Sequence, residues 1–299
     1  MFPFLIPPPP GCQHAPEWTG HGFQLGNALV PVLAYGVGSS GWTDDLTVFS
    51  EEAGGENHYM DVASRANAIE ALTRHISGDR PVLMDIGCSS GFMLKALKER
   101  FPSSTVIGAD YVSGPLVNLA HSNPEIPLLQ FDLTQCPLPG ECLDGITLLN
   151  VIEHIEDDVS ALRQTLRLLK PGGIAVIEAP AGPGLYDVYD KHLMHFRRYR
   201  MADLLAILKS TGFEILHQSH LGFFIYPVFA IVKKRNRKYL NADQMVQRQV
   251  VGSRIHKGKD NRLMHTVMRL ENAMRTYVSY PAGIRCVVIC RRPEIIHDD

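Results

Sequence analysis

Two acidic residues stand where apolar runs typical of buried strands end. Asp85 lies in the run 82–86, which leads into the small-residue turn 87–91, and Asp110 ends the run 105–110 nineteen residues after Gly91. A small-residue turn lets backbone N–H groups approach a ligand closely, and the helix start behind it favours negative charge. A carboxylate at this distance down a βαβ unit can accept hydrogen bonds from ribose hydroxyls. The spacing therefore predicts half of a doubly wound sheet with a nucleoside site.

The turn does not fit a dinucleotide. The G-x-G-x-x-G spacing counted from Gly87 meets Ser89 and Phe92 where glycines are required. The spacing Asp85-x-Gly87-x-Ser89-x-Gly91 instead resembles motif I of the class I S-adenosylmethionine-dependent methyltransferases. Further segments resemble that family's later motifs in the same order, namely Asp110-Tyr111, Phe131-Asp132-Leu133, 144–154 and 168–173. The resemblance covers about residues 56–218 and a last strand at 284–292.

The resemblance implies a fold and a cofactor. The fold is α/β, a doubly wound seven-stranded Rossmann-like sheet whose last strand is antiparallel, and the cofactor is S-adenosylmethionine. Asp85 is expected near the cofactor's amino group, Asp110 at its ribose and Asp132 at its adenine amine. Many relatives carry glycine at the position of Ser89, so a modest backbone constraint is expected there. The cofactor-binding candidates are Asp85, Gly87, Cys88, Ser89, Gly91, Asp110, Tyr111, Asp132, Leu133 and Asn150.

The segment 186–200 is the second one dense in chemically active side chains. It follows the fifth predicted strand and is therefore expected to cross the mouth of the pocket. Histidine is suited to accept a proton near neutral pH, so His192 and His195 are candidate general bases, with Asp187 or Asp190 orienting one of them. The further candidates are His154 as a base, with Tyr186, Tyr189, Arg197 and Arg198 for the substrate, where the arginines would hold a carboxylate or phosphate.

Two other interpretations of this segment stay open. Its charges can simply pair with one another, as they do in many loops. A metal site built from Asp187, Asp190, His192 and His195 is conceivable, but the surrounding chain offers no further ligand pattern, so no metal is predicted.

Composition limits the partners. The chain has 299 residues, 45% of them hydrophobic, and a formal net charge of −2, so bulk attraction to nucleic acid is not expected. Six cysteines show no paired C-x-x-C spacing and are interpreted as reduced thiols, with Cys286 and Cys290 in the core. The first six residues lack a positive n-region and run into prolines, unlike a signal peptide. A cytoplasmic protein is predicted.

Three regions are predicted along the chain. Residues 1–55, rich in Gly and Pro, are expected to form an N-terminal extension with little regular structure. Residues 56–221 plus 284–299 form the cofactor-binding domain, and 222–283 a mainly helical cap. Within the cap, an apolar run at 223–232 precedes the basic run 233–238, and it is too short to span a bilayer. Core contacts at helical spacing are expected at Leu263, Val267, Leu270, Met274 and Tyr277.

The segment 223–238 has two interpretations. It can serve as a lid or a subunit contact, which would allow a homodimer, or as a peripheral membrane contact. The predicted function is methyl transfer from S-adenosylmethionine to an O or N atom of a small molecule, with a possible histidine base. The alternatives are a membrane-associated methyltransferase acting on a lipid-linked or saccharide substrate, and a non-catalytic scaffold that keeps the cofactor pocket.

Overall fold

The computed structural model describes residues 2–36, 45, 56–258, 261–275 and 278–294. Tyr277 and residues 295–299 lie outside these ranges, as does most of the segment 37–55.

The strands of the described chain alternate with helices over most of its length. The strands are β1 (Glu17–Trp18), β2 (Phe23–Leu25), β3 (Ala28–Val30), β4 (Val32–Ala34), β5 (Val82–Ile86), β6 (Thr105–Asp110), β7 (Leu128–Gln130), β8 (Leu143–Leu149), β9 (Leu169–Pro180), β10 (Glu214–Leu221) and β11 (Arg285–Arg291). The helices are α1 (Tyr59–His75), α2 (Phe92–Arg100), α3 (Ser113–Ser122), α4 (Asp158–Leu168), α5 (Val188–His192), α6 (Met201–Ser210), α7 (Tyr226–Asn236), α8 (Gln244–Gly258) and α9 (Arg262–Arg275).

The central sheet has eight strands in the order β10-β11-β9-β8-β5-β6-β7-β4. Strands β4 to β9 pair in parallel, and β11 runs antiparallel between β9 and β10. The chain reverses its direction of winding at β5, which lies between β6 and β8. In such sheets ligands bind beyond the carboxyl ends of the strands near this reversal. The expected α/β sheet with an antiparallel last strand is confirmed, and it carries one strand more than the seven predicted.

The sheet is stabilised because both of its faces are apolar. Successive residues of β5 point to opposite faces, so Leu83 packs in one core cluster and Met84 in the other. Strand β9 does the same with Val176 and Ile177. Both core clusters are closed by helices, with Leu94 of α2 in one and Leu162 of α4 in the other. This burial fixes the strand ends that carry the site.

The N-terminal extension is more ordered than predicted. Strands β1 to β3 form a small antiparallel sheet, and β4 pairs in parallel with β7 as the eighth strand of the main sheet. Ile6, Phe23 and Leu33 are buried in the main core, which explains why this Gly- and Pro-rich segment packs against the sheet. The expectation of little regular structure was wrong for the described part of it.

Within the described part of the segment 222–283, which was predicted to form a mainly helical cap, the chain forms α7, α8 and α9. The buried side of α9 carries Met268, Glu271 and Arg275. The apolar residues Leu263, Leu270 and Met274 are exposed, so their predicted core role was wrong. Glu271 is buried because its carboxylate accepts hydrogen bonds from the Gly222 and Phe224 N–H groups where the cap begins. Among the described residues, no helix combines the length and apolarity needed to cross a membrane.

Candidate functional site

A cavity of about 1260 Å³ lies where the carboxyl ends of β5, β6, β8 and β9 meet the cap. Nine of the ten cofactor-binding candidates line it; Gly91 does not. His154, His195, Tyr189 and Arg198 line it as well, whereas His192, Tyr186 and Arg197 do not. The parallel sheet thus gathers most of the predicted residues into one space, and the loop after β9 and the cap enclose its other side.

The turn after β5 has the backbone of a ligand cradle. Gly87 and Ser89 have φ angles of 78° and 47°, and Gly91 has 78°. A Cβ on Gly87 would lie 2.5 Å from Cγ2 of Val151, so this position accepts only glycine without rearrangement. Ser89 adopts the left-handed conformation that favours glycine, in line with the expected backbone constraint. The turn is held because the N–H groups of Gly87 and Cys88 donate to Ala109 O at 2.8 and 3.1 Å.

Asp110 is fixed by this turn. One of its carboxylate oxygens accepts the Ser89 N–H at 2.9 Å, and the other accepts the Val112 N–H at 3.1 Å. Each oxygen of an ionised carboxylate can accept more than one hydrogen bond, and ribose hydroxyls are donors of this kind. The side chain is 9% exposed and lines the cavity. This geometry fits the ribose of an adenosyl group.

Asp85 lies deeper, at the base of the cavity. Thr147 Oγ1 donates to its carboxyl at 2.5 Å. Burial raises the pKa of Asp85 to about 7, against the Thr147 hydrogen bond that lowers it. A cationic group that approaches such a buried carboxyl stabilises its ionised form, because the attraction compensates for the lost hydration.

The remaining cofactor candidates follow strand ends. Asp132 caps the short 3-10 helix Leu133–Gln135 by accepting from the N–H and hydroxyl of Thr134 at 2.8 and 2.7 Å. Leu133 and Tyr111 line the cavity as well. Asn150 has a φ of 58° and donates to Glu178 Oε1 at 3.3 Å. Cys88 lines the cavity but its thiol packs in the core, where burial raises its pKa well above the usual value.

The cavity lining also carries a histidine pair. His195 Nδ1 lies 2.9 Å from Asp190 Oδ1, and its side chain is 9% exposed. The ring of His154 meets that of His195 edge-on, with centroids 4.6 Å apart. Burial lowers the pKa of both imidazoles, in His195 against the hydrogen bond to Asp190. Both rings are therefore neutral at physiological pH. Of the two aspartates considered as the orienting group, Asp190 makes the contact.

A buried charge cluster surrounds Asp190. Lys233 Nζ, from α7, donates to Asp187 Oδ1 at 2.7 Å and to Asp190 Oδ2 at 2.8 Å, and Arg198 donates to Asp190 Oδ1 at 2.8 Å. Both carboxylates are fully buried. Burial alone would raise the pKa of Asp190, but the His195 hydrogen bond and the charges of Lys233 and Arg198 hold it well below its usual range. Asp190 is thus ionised, and Nδ1 of His195 carries the proton between them.

Local sequence explains the shape of this loop. Asp187 and Asp190 form a capping box at the start of α5. The Asp187 carboxylate accepts a backbone N–H of the first turn, and the Asp190 carboxylate accepts the Asp187 N–H. The His195 N–H then donates to Asp190 O, and the Phe196 N–H donates to Glu153 O at 2.8 Å. These bonds place His195 against the loop after β8.

Several predicted substrate residues are engaged elsewhere. Arg198 donates to Ala181 O and Ile284 O besides Asp190, and Arg197 bonds Asp158 and Glu156 O. Arg198 pairs with Asp190 within the segment, as the interpretation of a self-paired loop has it, whereas Arg197 pairs with Asp158 outside the segment. The hydroxyl of Tyr186 donates to His195 O. His192 stands at the end of α5 outside the cavity lining, where geometry does not support a role as base.

The structure adds site residues that sequence reasoning missed. Glu153 is 0% exposed, lines the cavity, and burial raises its pKa to about 8. Arg285 of β11 bonds Glu178, Ser64 and Asp61 at 2.7 to 2.8 Å, next to Asn150. The only signal for Glu153 was its position beside His154. Ligand atoms of Glu153, His154 and His195 lie within 4.8 Å of one another, whereas the set Asp187, Asp190, His192 and His195 is not brought together.

Comparisons with known proteins agree with this architecture. Residues 84–177 match the family model described as a methyltransferase domain. A probable S-adenosylmethionine-dependent methyltransferase of Mycolicibacterium smegmatis is 28% identical over 171 residues, which cover 56% of this chain and 63% of that protein. A ubiquinone biosynthesis O-methyltransferase of Ruegeria pomeroyi is 31% identical over 124 residues, 36% of this chain and 49% of that protein. The chain thus spans about half to two thirds of these relatives.

Solved structures share the fold. A chain from the complex of the Haloferax volcanii Trm112 methyltransferase activator with a protein named as a methyltransferase has a TM-score of 0.56 at 17% identity, covering 85% of this chain and 98% of that one. The [4+2]-cyclase SpnF has a TM-score of 0.50 at 17% identity, covering 77% and 81%. At these identities the likeness concerns the fold alone, and the name of the second shows that this fold also serves other reactions.

Proposed function

The chain belongs to the class I S-adenosylmethionine-dependent methyltransferase family, and we propose that it transfers the methyl group of this cofactor to an oxygen or nitrogen atom of a small molecule. The observation that carries the proposal is the continuity of the cavity. Asp85, Asp110 and Asp132 line it at the strand ends, and the neutral pair His154 and His195 lines the same cavity.

The cofactor half uses residues that the turn after β5 fixes. Asp110 would accept hydrogen bonds from the ribose hydroxyls, and Asp132 would accept one from the adenine amine beside Leu133 and Tyr111. Asp85 and the backbone of Gly87 and Ser89 would hold the methionine end of the cofactor. When bound, S-adenosylmethionine supplies a methyl group on a positively charged sulfur, so the protein contributes mainly alignment and exclusion of water.

The other half supplies the base. Since Nδ1 of His195 holds a proton toward the ionised Asp190, its Nε2 keeps a lone pair. A hydroxyl or ammonium acceptor must lose a proton to react, and Nε2 is to accept it. His154, whose ring packs against His195, is the second candidate. His192 is not part of this proposal.

We propose a small molecule as the partner, because residues of the loop after β9 and of the cap line the cavity together with the strand ends. The segment 223–238 contributes Val228, Phe229 and Val232 to the cavity lining, which supports its interpretation as a lid. A homodimer contact and a peripheral membrane contact of this segment remain proposals, with Val228 and Ile231 exposed at 67% and 58%.

The test has two stages. Calorimetric titration with S-adenosylmethionine and S-adenosylhomocysteine should give one site per chain, and no heat from either compound would refute the proposal. Release of S-adenosylhomocysteine is then followed with a panel of small hydroxyl and amine compounds. With the compound that reacts, His195→Gln should lower kcat at least a hundredfold, the usual range for loss of a general base. His121→Gln, which changes an exposed histidine on α3, is the matched control. Full activity of His195→Gln would remove this residue from the mechanism.

A further inference from the structure

Several buried polar atoms at one end of the cavity have no hydrogen-bond partner among the described residues. Neither Oε1 nor Oε2 of Glu153 has a hydrogen-bond partner within the part of the chain that the structure describes, and the same holds for Asp187 Oδ2 and Asn236 Oδ1. These side chains are 0%, 0% and 4% exposed, and all three line the cavity. They come from three separate elements, which are the loop after β8, the start of α5 and the end of α7. Buried polar atoms without a partner are rare, so their convergence on a cavity indicates a ligand.

The donors on the same wall are already engaged. Lys233 donates to Asp187 and Asp190, and Arg198 donates to Asp190 and two carbonyl oxygens. Arg285 donates to Ser64, Glu178 and Asp61. Asp187 Oδ2 and Asn236 Oδ1 are left as acceptors, and the Glu153 carboxyl, whose pKa burial raises to about 8, can both donate and accept near pH 7. A carboxylate or phosphate, which has only acceptors to offer, would meet the oxygen atoms of Asp187 and Asn236 there.

Charge balance favours a neutral ligand. Lys233 and Arg198 offset Asp187 and Asp190, and the Glu153 carboxyl, whose pKa burial raises to about 8, is largely protonated near pH 7, so this end of the cavity carries no net charge. The excess negative charge is on the side of Arg285, which pairs with both Glu178 and Asp61. Glu178 also accepts from Asn150, a cofactor candidate, so that charge lies toward the cationic sulfur of the proposed cofactor. An ammonium ligand would place a second cation beside this sulfur, with no further negative charge to pair with it.

We propose that Glu153, Asp187 and Asn236 bind a neutral head group that carries several hydroxyls. An apolar part of the same molecule would lie along Val228, Phe229, Val232, Met264 and Val267, which form the neighbouring wall of the cavity. The methyl acceptor is one of the hydroxyls, and this part rests on the proposed function. Its proton passes to Nε2 of His195, its oxygen bonds the methyl carbon, and the electron pair of the broken carbon–sulfur bond stays on sulfur.

The test uses three probes with the same eight-carbon chain, namely octyl glucoside, octylamine and octanoate. Each is titrated below its micelle concentration into the full chain saturated with S-adenosylhomocysteine, in EDTA. We expect the glucoside to bind at least tenfold more tightly than the other two. Glu153→Leu and Asn236→Leu should each weaken its binding at least tenfold, while Glu99→Leu, at an exposed glutamate of α2, should not. Because Glu153→Leu removes buried atoms without partners, its thermal stability should equal or exceed that of the wild type.

Other results would overturn the proposal. These are tighter binding of octylamine or octanoate, unchanged glucoside binding in both variants, and glucoside binding that appears only when Mg²⁺ or Zn²⁺ is added, which would assign Glu153 to a metal. If Glu153→Leu does not fold, Asn236→Leu decides alone. Unchanged affinity for S-adenosylhomocysteine in the variants shows that the cofactor half is intact. Failure of the wild type to bind that compound would refute the proposed function instead, whichever probe binds.

Discussion

Lys233 should be the side chain that fastens the cap to the loop after β9. Its ammonium lies 2.7 Å from Asp187 Oδ1 and 2.8 Å from Asp190 Oδ2, with 5% of the lysine side chain exposed and neither carboxylate accessible. It also lies over the rings of Tyr189 and Phe229 at 4.8 and 5.5 Å. Lys233→Met keeps most of the volume and removes only the charge.

The expected loss of stability comes from the buried carboxylates that the substitution leaves without their cationic partner. Two charges 2.7 Å apart attract by about 6 kcal/mol at an effective dielectric constant of 20, and the desolvation of the lysine, which the methionine avoids, offsets part of this. Removing one partner of a buried ion pair typically costs about 3–5 kcal/mol, because the other charge remains buried without compensation. Arg198 still pairs with Asp190, so the larger loss falls on Asp187. We expect Lys233→Met to lower the free energy of unfolding by about 3 kcal/mol.

Urea denaturation followed by tryptophan fluorescence measures this loss. Lys234→Met is the matched control, since Lys234 is the exposed neighbour on α7, and it should change stability by less than about 0.5 kcal/mol. The double variant Lys233→Met with Asp187→Asn should recover at least about 1 kcal/mol, because it removes the uncompensated charge. A Lys233→Met protein that is as stable as the control, or no recovery in the double variant, would contradict the assignment of this cluster.

Two further predictions concern the cavity itself. Asp110→Ala should weaken binding of S-adenosylmethionine by about 1–3 kcal/mol if two ribose hydrogen bonds are lost, and unchanged affinity in calorimetry would show that the ribose assignment is wrong. Glu153 binds a proton more tightly in the folded chain, where its pKa is about 8, than in the unfolded chain, so its contribution to stability is lost as pH rises from about 4.5 to 8. Asp85, at about 7, acts in the same direction. Glu153→Gln should remove a decline on the order of 5 kcal/mol between those pH values, measured by urea denaturation, and an unaltered slope would place the titration elsewhere.

The strand ends were predictable because short segments determine them. The run 82–86 followed by a small-residue turn specifies strand, turn and helix locally, and parallel strands bring their carboxyl ends to one edge wherever the helices pack. Asp85 and Asp110 therefore came to line the predicted cavity from spacing alone. His195 followed from its segment, since the loop after β9 has to cross that edge.

The remaining features depend on contacts between distant segments. Strand β4 has three residues and exists as part of the main sheet because β7 offers it a parallel partner. The pairs of Lys233 with Asp187 and Asp190 join residues 46 and 43 positions apart, so no local pattern marks them. The sequence pattern predicted that the apolar residues of α9 face inward, whereas Glu271 and Arg275 are the buried ones. Glu271 accepts hydrogen bonds from the Gly222 and Phe224 N–H groups, and Arg275 pairs with the carboxylate of Glu70. The spacing of apolar residues does not predict that the polar side of a helix is buried against hydrogen-bonding groups of distant segments.

Asp190 connects the two halves of the proposed reaction to the cap. One of its oxygens faces His195 and Arg198, and the other faces Lys233 of α7. The position of α7 and the tautomer of His195 are therefore determined by one carboxylate. If Lys233 were withdrawn, less positive charge would oppose burial at Asp190, its pKa would rise, and the pKa of His195 would lose one of the charges that lower it. In the proposed mechanism, the contacts that orient His195 and keep its ring neutral also hold α7 over the cavity, so proton transfer and the position of the cap depend on the same carboxylate.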